Sequence, residues 1–151
     1  MYQAVEKAGG LSAKGYIPVM KIDDEVIRES SLLVQRVAEM SSSVKGATSL
    51  QPELPELSDE LIELCNELPK QARSRQLDDL CKRADAAIAS SGAFLAGETF
   101  SVADACLLPF LQRVESEGLP NNTPHLREYY DRCTELPAFS KTIVSSWWWW
   151  W

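Results

Sequence analysis

The stretch from Phe94 to Val114, FLAGETFSVADACLLPFLQRV, constrains this chain more than any other. Ser101 and Asp104 stand three apart at the head of an apolar run, which makes a capping box with Asp in the place of Glu. The Ser101 hydroxyl can accept the backbone N–H of Asp104, and the Asp104 carboxylate can reach back to the N–H of Ser101. Phe100, just before the cap, can pack on the first turn and fix the angle of entry. The helix that follows is apolar almost all round, through Val102, Ala105, Cys106, Leu107, Leu108, Phe110 and Leu111. A helix of that kind is expected in the centre of a core. Asp104 can therefore be read as a catalytic acid or as a cap, and the capping spacing favours the cap. Pro109 lies well inside the helix, removes one backbone bond and predicts a kink.

The remaining punctuation is also helical. Leu61, Leu64, Cys65 and Leu68 mark a helix that opens near Ser58 and closes before Pro69. Leu77, Leu80, Cys81, Ala84 and Ile88 follow i, i+3, i+4 spacing, so an amphipathic helix is expected from Gln71 to Ala89, with Gly92 just past its end. Thr123-Pro124 supplies an N-cap with proline at the first helical position, opening a helix to about Thr134. Leu136-Pro137 repeats the device before a short last helix. Near the other end, Ile17 to Ile27 is the one stretch that reads as β structure, a hairpin turning at Asp23-Asp24. A helix from about Ser31 to Met40 follows, with Leu33, Val34, Val37 and Ala38 on one face. Residues 41–57 have the Ser, Gly and Pro density of a linker. The reading divides the chain into a small unit at 1–40, that linker, a helical domain at 58–146 and a tail at 147–151.

Composition excludes several classes of function. A net charge of −7, from 15 basic and 22 acidic residues, opposes binding to nucleic acid or anionic lipid. No apolar run reaches the length of a membrane span, and Met1 to Gly10 lacks the apolar segment of a signal peptide. The four cysteines, Cys65, Cys81, Cys106 and Cys133, form no C-x-x-C pair, and there is one histidine, His125. No metal site is therefore written locally, and a histidine-based triad is not expected. Reduced, mostly buried thiols in a cytoplasmic protein are the expectation.

The phrase FLAGETFSVADACLLPF resembles the S/T-x-x-D capping box of the cytosolic glutathione S-transferase superfamily, with its preceding FLAGE-like turn and following A-D-A. LREYYDRCTELPAFSKT is similar to the family's closing phrase, and IPVMKIDDEVIRESSLL to the segment that closes its thioredoxin-like first domain. Pro109 is reminiscent of the omega, dehydroascorbate reductase and chloride-intracellular-channel-like branches. The resemblance implies a mainly α fold: an all-helical C-terminal domain preceded by a truncated thioredoxin-like β-hairpin plus helix. It implies glutathione as the bound substrate. Ile17 would pair its backbone with the cysteinyl part, next to a cis Pro18, while Glu29 and Ser30 would hold the γ-glutamyl group. Ser30 has two readings from its residue type alone, a plain helix cap and part of an anion site made by free N–H groups at a helix start.

The family's first β-α-β unit, which carries the catalytic Tyr, Ser or Cys, has no match. Sixteen residues precede Ile17, and such a unit needs about 30. Tyr2 and Tyr16 do not fit the catalytic motif, and the turn has Asp23-Asp24 where the family usually has Asp-Gly. No catalytic residue is assigned, so whether the chain is an enzyme stays open. Two functions stand side by side. One is a glutathione transferase-like activity that joins glutathione to a small electrophile, or reduces by thiol exchange, once the missing unit is supplied. The other is a non-catalytic interaction module. A homodimer or a protein partner is implied, and no nucleic acid.

Trp147 to Trp151 end the chain, whereas the other 146 residues contain no tryptophan. Tryptophans favour membrane interfaces, yet no Lys or Arg follows Lys141 to attract anionic headgroups. The tail is expected to cover apolar surface and not to anchor the chain. Co-sedimentation with vesicles should accordingly give equal partition for the full chain and for a chain ending at Ser146.

Overall fold

A computed structural model describes residues 19–67, 75–115 and 119–142. Two short strands, β1 (Met20–Ile22) and β2 (Glu25–Ile27), are followed by six helices among these residues. The helices are α1 (Ser30–Ser42), α2 (Pro55–Glu67), α3 (Arg75–Ser91), α4 (Val102–Glu115), α5 (Pro124–Thr134) and α6 (Pro137–Thr142). Ile17, Pro18, Tyr2, Tyr16 and the tryptophan tail lie outside the described residues.

The hairpin forms as its sequence predicts. Met20 faces Ile27, Lys21 faces Val26 and Ile22 faces Glu25 in antiparallel register. Asp23 takes the left-handed backbone conformation at the turn, with φ of 51°. Asp tolerates that region better than most residues because its short polar side chain can bond locally, and Asp24, in the place of the expected glycine, has no positive φ, so the turn closes without one.

Helix α1 begins one residue earlier than expected and ends two later. Its buried residues are Ser31, Leu33 and Ala38, with Val34 half-buried. Val37, expected on the same face, is 46% exposed. Helix α2 opens at Pro55 and not near Ser58. Proline at the first helical position has no N–H to leave unsatisfied, and Ser58 becomes a fully buried residue inside the helix. Helix α3 carries its stripe as predicted, with Leu80, Cys81, Ala84 and Ile88 buried.

The main core is built where α2 packs on α4, α3 on α5, and α2 on α3. Leu80, Leu95, Leu107, Leu111, Leu126 and Tyr129 are its largest fully buried side chains. A second apolar cluster, of Ala38, Ile62 and Val102 with Val34, Leu50 and Cys106 against it, joins α1 to α2 and α4. Helix α4 is thus shared by both clusters.

The turn from Phe94 to Gly97 is closed by the Phe94 N–H bonding the Gly97 carbonyl at 2.9 Å. Gly97 has φ of 139°, and a Cβ there would meet the Glu53 side chain at 2.7 Å, so this position admits no side chain. Helix α5 differs from its predicted cap. The Thr123 hydroxyl donates to the Pro120 carbonyl at 2.7 Å, and the free N–H of Leu126 is taken by Asp85 Oδ1 of α3 at 2.8 Å. A carboxylate from another helix thus satisfies the helix start.

Asp104 is fully buried and accepts four hydrogen bonds. Oδ1 receives the Leu95 N–H and the Tyr129 hydroxyl, each at 3.0 Å. Oδ2 receives the Ser101 N–H at 2.7 Å and the Ser101 hydroxyl at 2.9 Å. The predicted reach back to the Ser101 N–H is present, while the Ser101 hydroxyl donates to the carboxylate. Burial pushes the Asp104 carboxyl up from its ordinary value, against the downward pull of these four bonds. With all its lone pairs engaged by Ser101, Leu95 and Tyr129, Asp104 is a structural tie.

Each carboxylate oxygen of Asp104 holds one backbone N–H, and a backbone N–H cannot turn to accept. Asp104→Asn, though nearly isosteric, must aim its amide –NH2 at one of them in either orientation. The expected loss is about 1–3 kcal/mol of stability, measured by urea unfolding. Equal stability of the two proteins would overturn this account of the tie.

Candidate functional site

The start of α1 opens onto a cavity of about 240 Å³. Glu29 adopts an extended backbone (φ −88°, ψ 125°) as the cap, and its carbonyl accepts the Leu33 N–H at 3.0 Å. Ser30 is therefore the first helical residue, one position later than the expected cap, and the Glu29 side chain makes no capping bond. The N–H groups of Ser30, Ser31 and Leu32 have no intrahelical acceptor by their position, and the positive end of the helix dipole lies with them. Glu29 and Ser30 are both exposed, so an anion approaching from solvent can meet the hydroxyl and these N–H groups together. The adjacent Glu29 carboxylate can receive a cation.

The facing wall comes from α2 and α4. Cys65 and Asn66 belong to α2, and Ala105, Cys106, Pro109 and Phe110 to α4. The four α4 residues follow one arc of the helix, next to the arc of Ala103, Leu107 and Leu111 that fills the core, and Phe110 at the border also packs on that core. This revises the expectation that α4 is buried all round. Its second apolar arc is only partly buried, and Pro109 is exposed. Pro109 also has no N–H to give to the Ala105 carbonyl, so a backbone acceptor without its usual helical donor stands in a mostly apolar wall.

Of the sequence-predicted site residues, the structure brings Glu29 and Ser30 to this cavity. Ile17 and Pro18 lie outside the described residues. Ser101 and Asp104 line none of this wall and serve the tie described above. Cys65, Cys106 and Phe110 were not singled out from sequence. The surplus of apolar residues on α4 was the signal, since more of its surface is apolar than one core face can use.

The cavity thiols are not activated. Burial pushes Cys65 up to about 12, with the nearby Cys106 adding to the shift, and pushes Cys106 up to about 11. Cys81 and Cys133 also stand at about 11, again mainly through burial. All four cysteines are free thiols. Among the described residues no group of three or more His, Cys, Asp or Glu is arranged to hold a metal ion, and no helix is long and apolar enough to cross a membrane.

Residues 70–132 match the family model of the glutathione S-transferase C-terminal domain. Over 145 residues the chain is 23% identical to the probable glutathione S-transferase DHAR2, chloroplastic, of Oryza sativa subsp. japonica. That match covers 88% of this chain and 53% of the rice protein, so the chain spans about half the length of this curated relative. The holo structure of maleyl pyruvate isomerase, a bacterial glutathione S-transferase in the zeta class, superposes with a TM-score of 0.71 at 15% identity. The superposition covers 90% of this chain and 76% of that one. Residues 70–132 thus resemble a glutathione S-transferase C-terminal domain, and the fold of the chain is GST-like. Maleylacetoacetate isomerase from Anaeromyxobacter dehalogenans 2CP-1, which has dicarboxyethyl glutathione and citrate in its active site, gives a TM-score of 0.66 at 16% identity. There the match covers 92% of this chain and 73% of the other. These likenesses give the fold. In the GST-like frame, the hairpin with α1 corresponds to the truncated thioredoxin-like part and α2 to α6 to the helical part.

The thiols generate a prediction. A thiol at about 11 is ionised roughly 100-fold less at mildly alkaline pH than one at the ordinary value. Native protein should thus react with iodoacetamide about two orders of magnitude more slowly than the denatured chain at Cys81, Cys106 and Cys133, and about three orders more slowly at Cys65. The unfolded chain ionises first as pH rises past the ordinary thiol value of 9.0. The thiols therefore remove stability with rising pH, from that value upward to their folded values.

Proposed function

We propose that this chain binds glutathione at the start of α1. Ser30 and the free N–H groups would take the γ-glutamyl carboxylate and Glu29 its ammonium group. Ile17 and Pro18 would align the cysteinyl part. The observation that carries this reading is the opening of the exposed Glu29-Ser30 helix start onto an apolar cavity built by α2 and α4. Charged groups and an apolar wall on opposite sides of one cavity suit a polar tripeptide beside an apolar electrophile. Phe110, Pro109 and Cys106 would receive the electrophile.

The reaction class would be conjugation of glutathione to an electrophile, or reduction through thiol exchange, with the group that activates the thiol supplied by a catalytic unit outside the matched segment. The rice relative supports the dehydroascorbate reductase branch for this chain. A homodimer is part of the proposal, as is a division at the 41–57 linker into a partial thioredoxin-like unit and a helical domain at 58–146. So is a cytoplasmic location, although the rice protein is named as chloroplastic.

A second reading is a non-catalytic interaction module. It is favoured by one observation: all four cysteines have raised pKa values, so none is a ready nucleophile. Retention on immobilised glutathione, followed by a chlorodinitrobenzene conjugation assay, separates the two. Retention with turnover is expected for the transferase reading, and Ser30→Ala should weaken retention. Retention without turnover discards the enzyme and keeps the binding site. Failure to be retained overturns the glutathione site itself.

A further inference from the structure

A second cleft, of about 280 Å³, lies between α1, the loop before α2 and the first turns of α2, and shares no lining residue with the cavity at Ser30. Ser58 lines it and is fully buried, yet its Oγ has no hydrogen-bond partner in the protein. A serine inside a helix usually satisfies its hydroxyl on the carbonyl four residues back. Here the Leu54 carbonyl takes the Ser58 N–H at 3.0 Å, and Oγ makes no such bond. A buried hydroxyl left without a partner is costly, and alanine would occupy the same place without that cost. The hydroxyl thus points to a polar group from outside the chain.

The charge of the cleft selects the class of that group. Its ionisable lining residues among those described are Glu39 and Asp59, both acidic. Arg36, one turn earlier on the same face of α1, engages one carboxylate oxygen of Glu39 at 2.9 Å, which offsets part of its charge and fixes that side chain at the rim. Helix α2 extends the negative field outward, since Glu56, Asp59, Glu60 and Glu63 are exposed at i, i+3, i+4 and i+7 spacing, with Glu60 paired to Arg83. Such a stripe draws cations toward the cleft. The cleft is larger than a bare ion needs, and Pro52, Pro55 and Val102 give it an apolar side. An ammonium group on a short carbon chain matches both features.

We propose that this cleft binds a primary aliphatic ammonium group, with Glu39 and Asp59 as its counter-charges, the Ser58 hydroxyl as an acceptor and Pro52, Pro55 and Val102 against its carbon chain. The group comes from a free amine or from a lysine side chain on a partner protein. Neither the site nor its test depends on glutathione.

Nitrogen-15-labelled full chain is titrated with diaminobutane, with a blocked Gly-Lys-Gly peptide and with butanol. The amines should produce saturable shifts centred on Gln35, Ser58 and Asp59, and butanol should not. A response to diaminobutane alone assigns a free amine as the source, and a response to the peptide alone assigns a partner's lysine. The E39Q/D59N protein should bind at least about tenfold more weakly, as expected when two counter-charges are removed. Ser58→Ala should also weaken binding while its unfolding midpoint stays level or rises, because the hydroxyl makes no bond within the protein. Equal shifts from butanol, undiminished binding by E39Q/D59N, or no saturable response to either amine would overturn the proposal.

Discussion

The fold depends on one buried carboxylate. Asp104 ties the Phe94–Gly97 turn through the Leu95 N–H, the start of α4 through Ser101, and α5 through the Tyr129 hydroxyl. All four donors point at a group that accepts and does not donate, so the carboxylate specifies the arrangement that an amide would not. The aromatic edges around it follow from the same placement. Phe94 meets Phe100 and Tyr129 edge-on at 5.8 and 6.3 Å, and Arg132 caps the turn by donating to the Ala93 carbonyl. A chain with few aromatics thereby concentrates several of them around one polar anchor.

Fixing the start of α4 also sets which arc of that helix faces which neighbour. One arc carries Leu107 and Leu111 into the main core, and the other presents Cys106, Pro109 and Phe110 to the cavity at α1. The distance between the tie and the cavity is less than two turns of helix, roughly 5 Å per turn. Tie and cavity wall are thus divided along one element: its first turn is locked by hydrogen bonds, and its second supplies a surface. Proline suits that second turn because a missing N–H is harmful in a core but leaves a usable acceptor beside a cavity.

The same separation holds at α1 and α2. Helix α1 is seated on Val102 and Ile62 through Ala38 and Val34, and this seating brings both its N-terminus and the Gln35–Glu39 face against the helical part. Two clefts of different chemistry result. One combines a helix start with apolar side chains, and the other combines two acids with an unpartnered hydroxyl.

Much of this was legible in the residues. Ser101 and Asp104 stand at capping spacing, Leu80, Cys81, Ala84 and Ile88 repeat at helical period, and Gly92 follows a helix, because each of these signals depends on neighbours within a few residues. The hairpin at Asp23-Asp24 is local in the same way. Contacts across the fold were not legible. Thr123 reads as the cap of α5, but Asp85, 41 residues before Leu126, takes the Leu126 N–H that a local cap would have held. Ser58 reads as a helix start, yet Pro55 opens the helix and leaves that hydroxyl buried beside a cleft. Tyr129 and Leu95 complete the bonding of Asp104 from positions 25 and 9 residues distant. Local periodicity and capping chemistry determined which segments are helices. Only the packing of those helices decided which polar groups would meet, because a buried donor finds its acceptor in space and not along the chain.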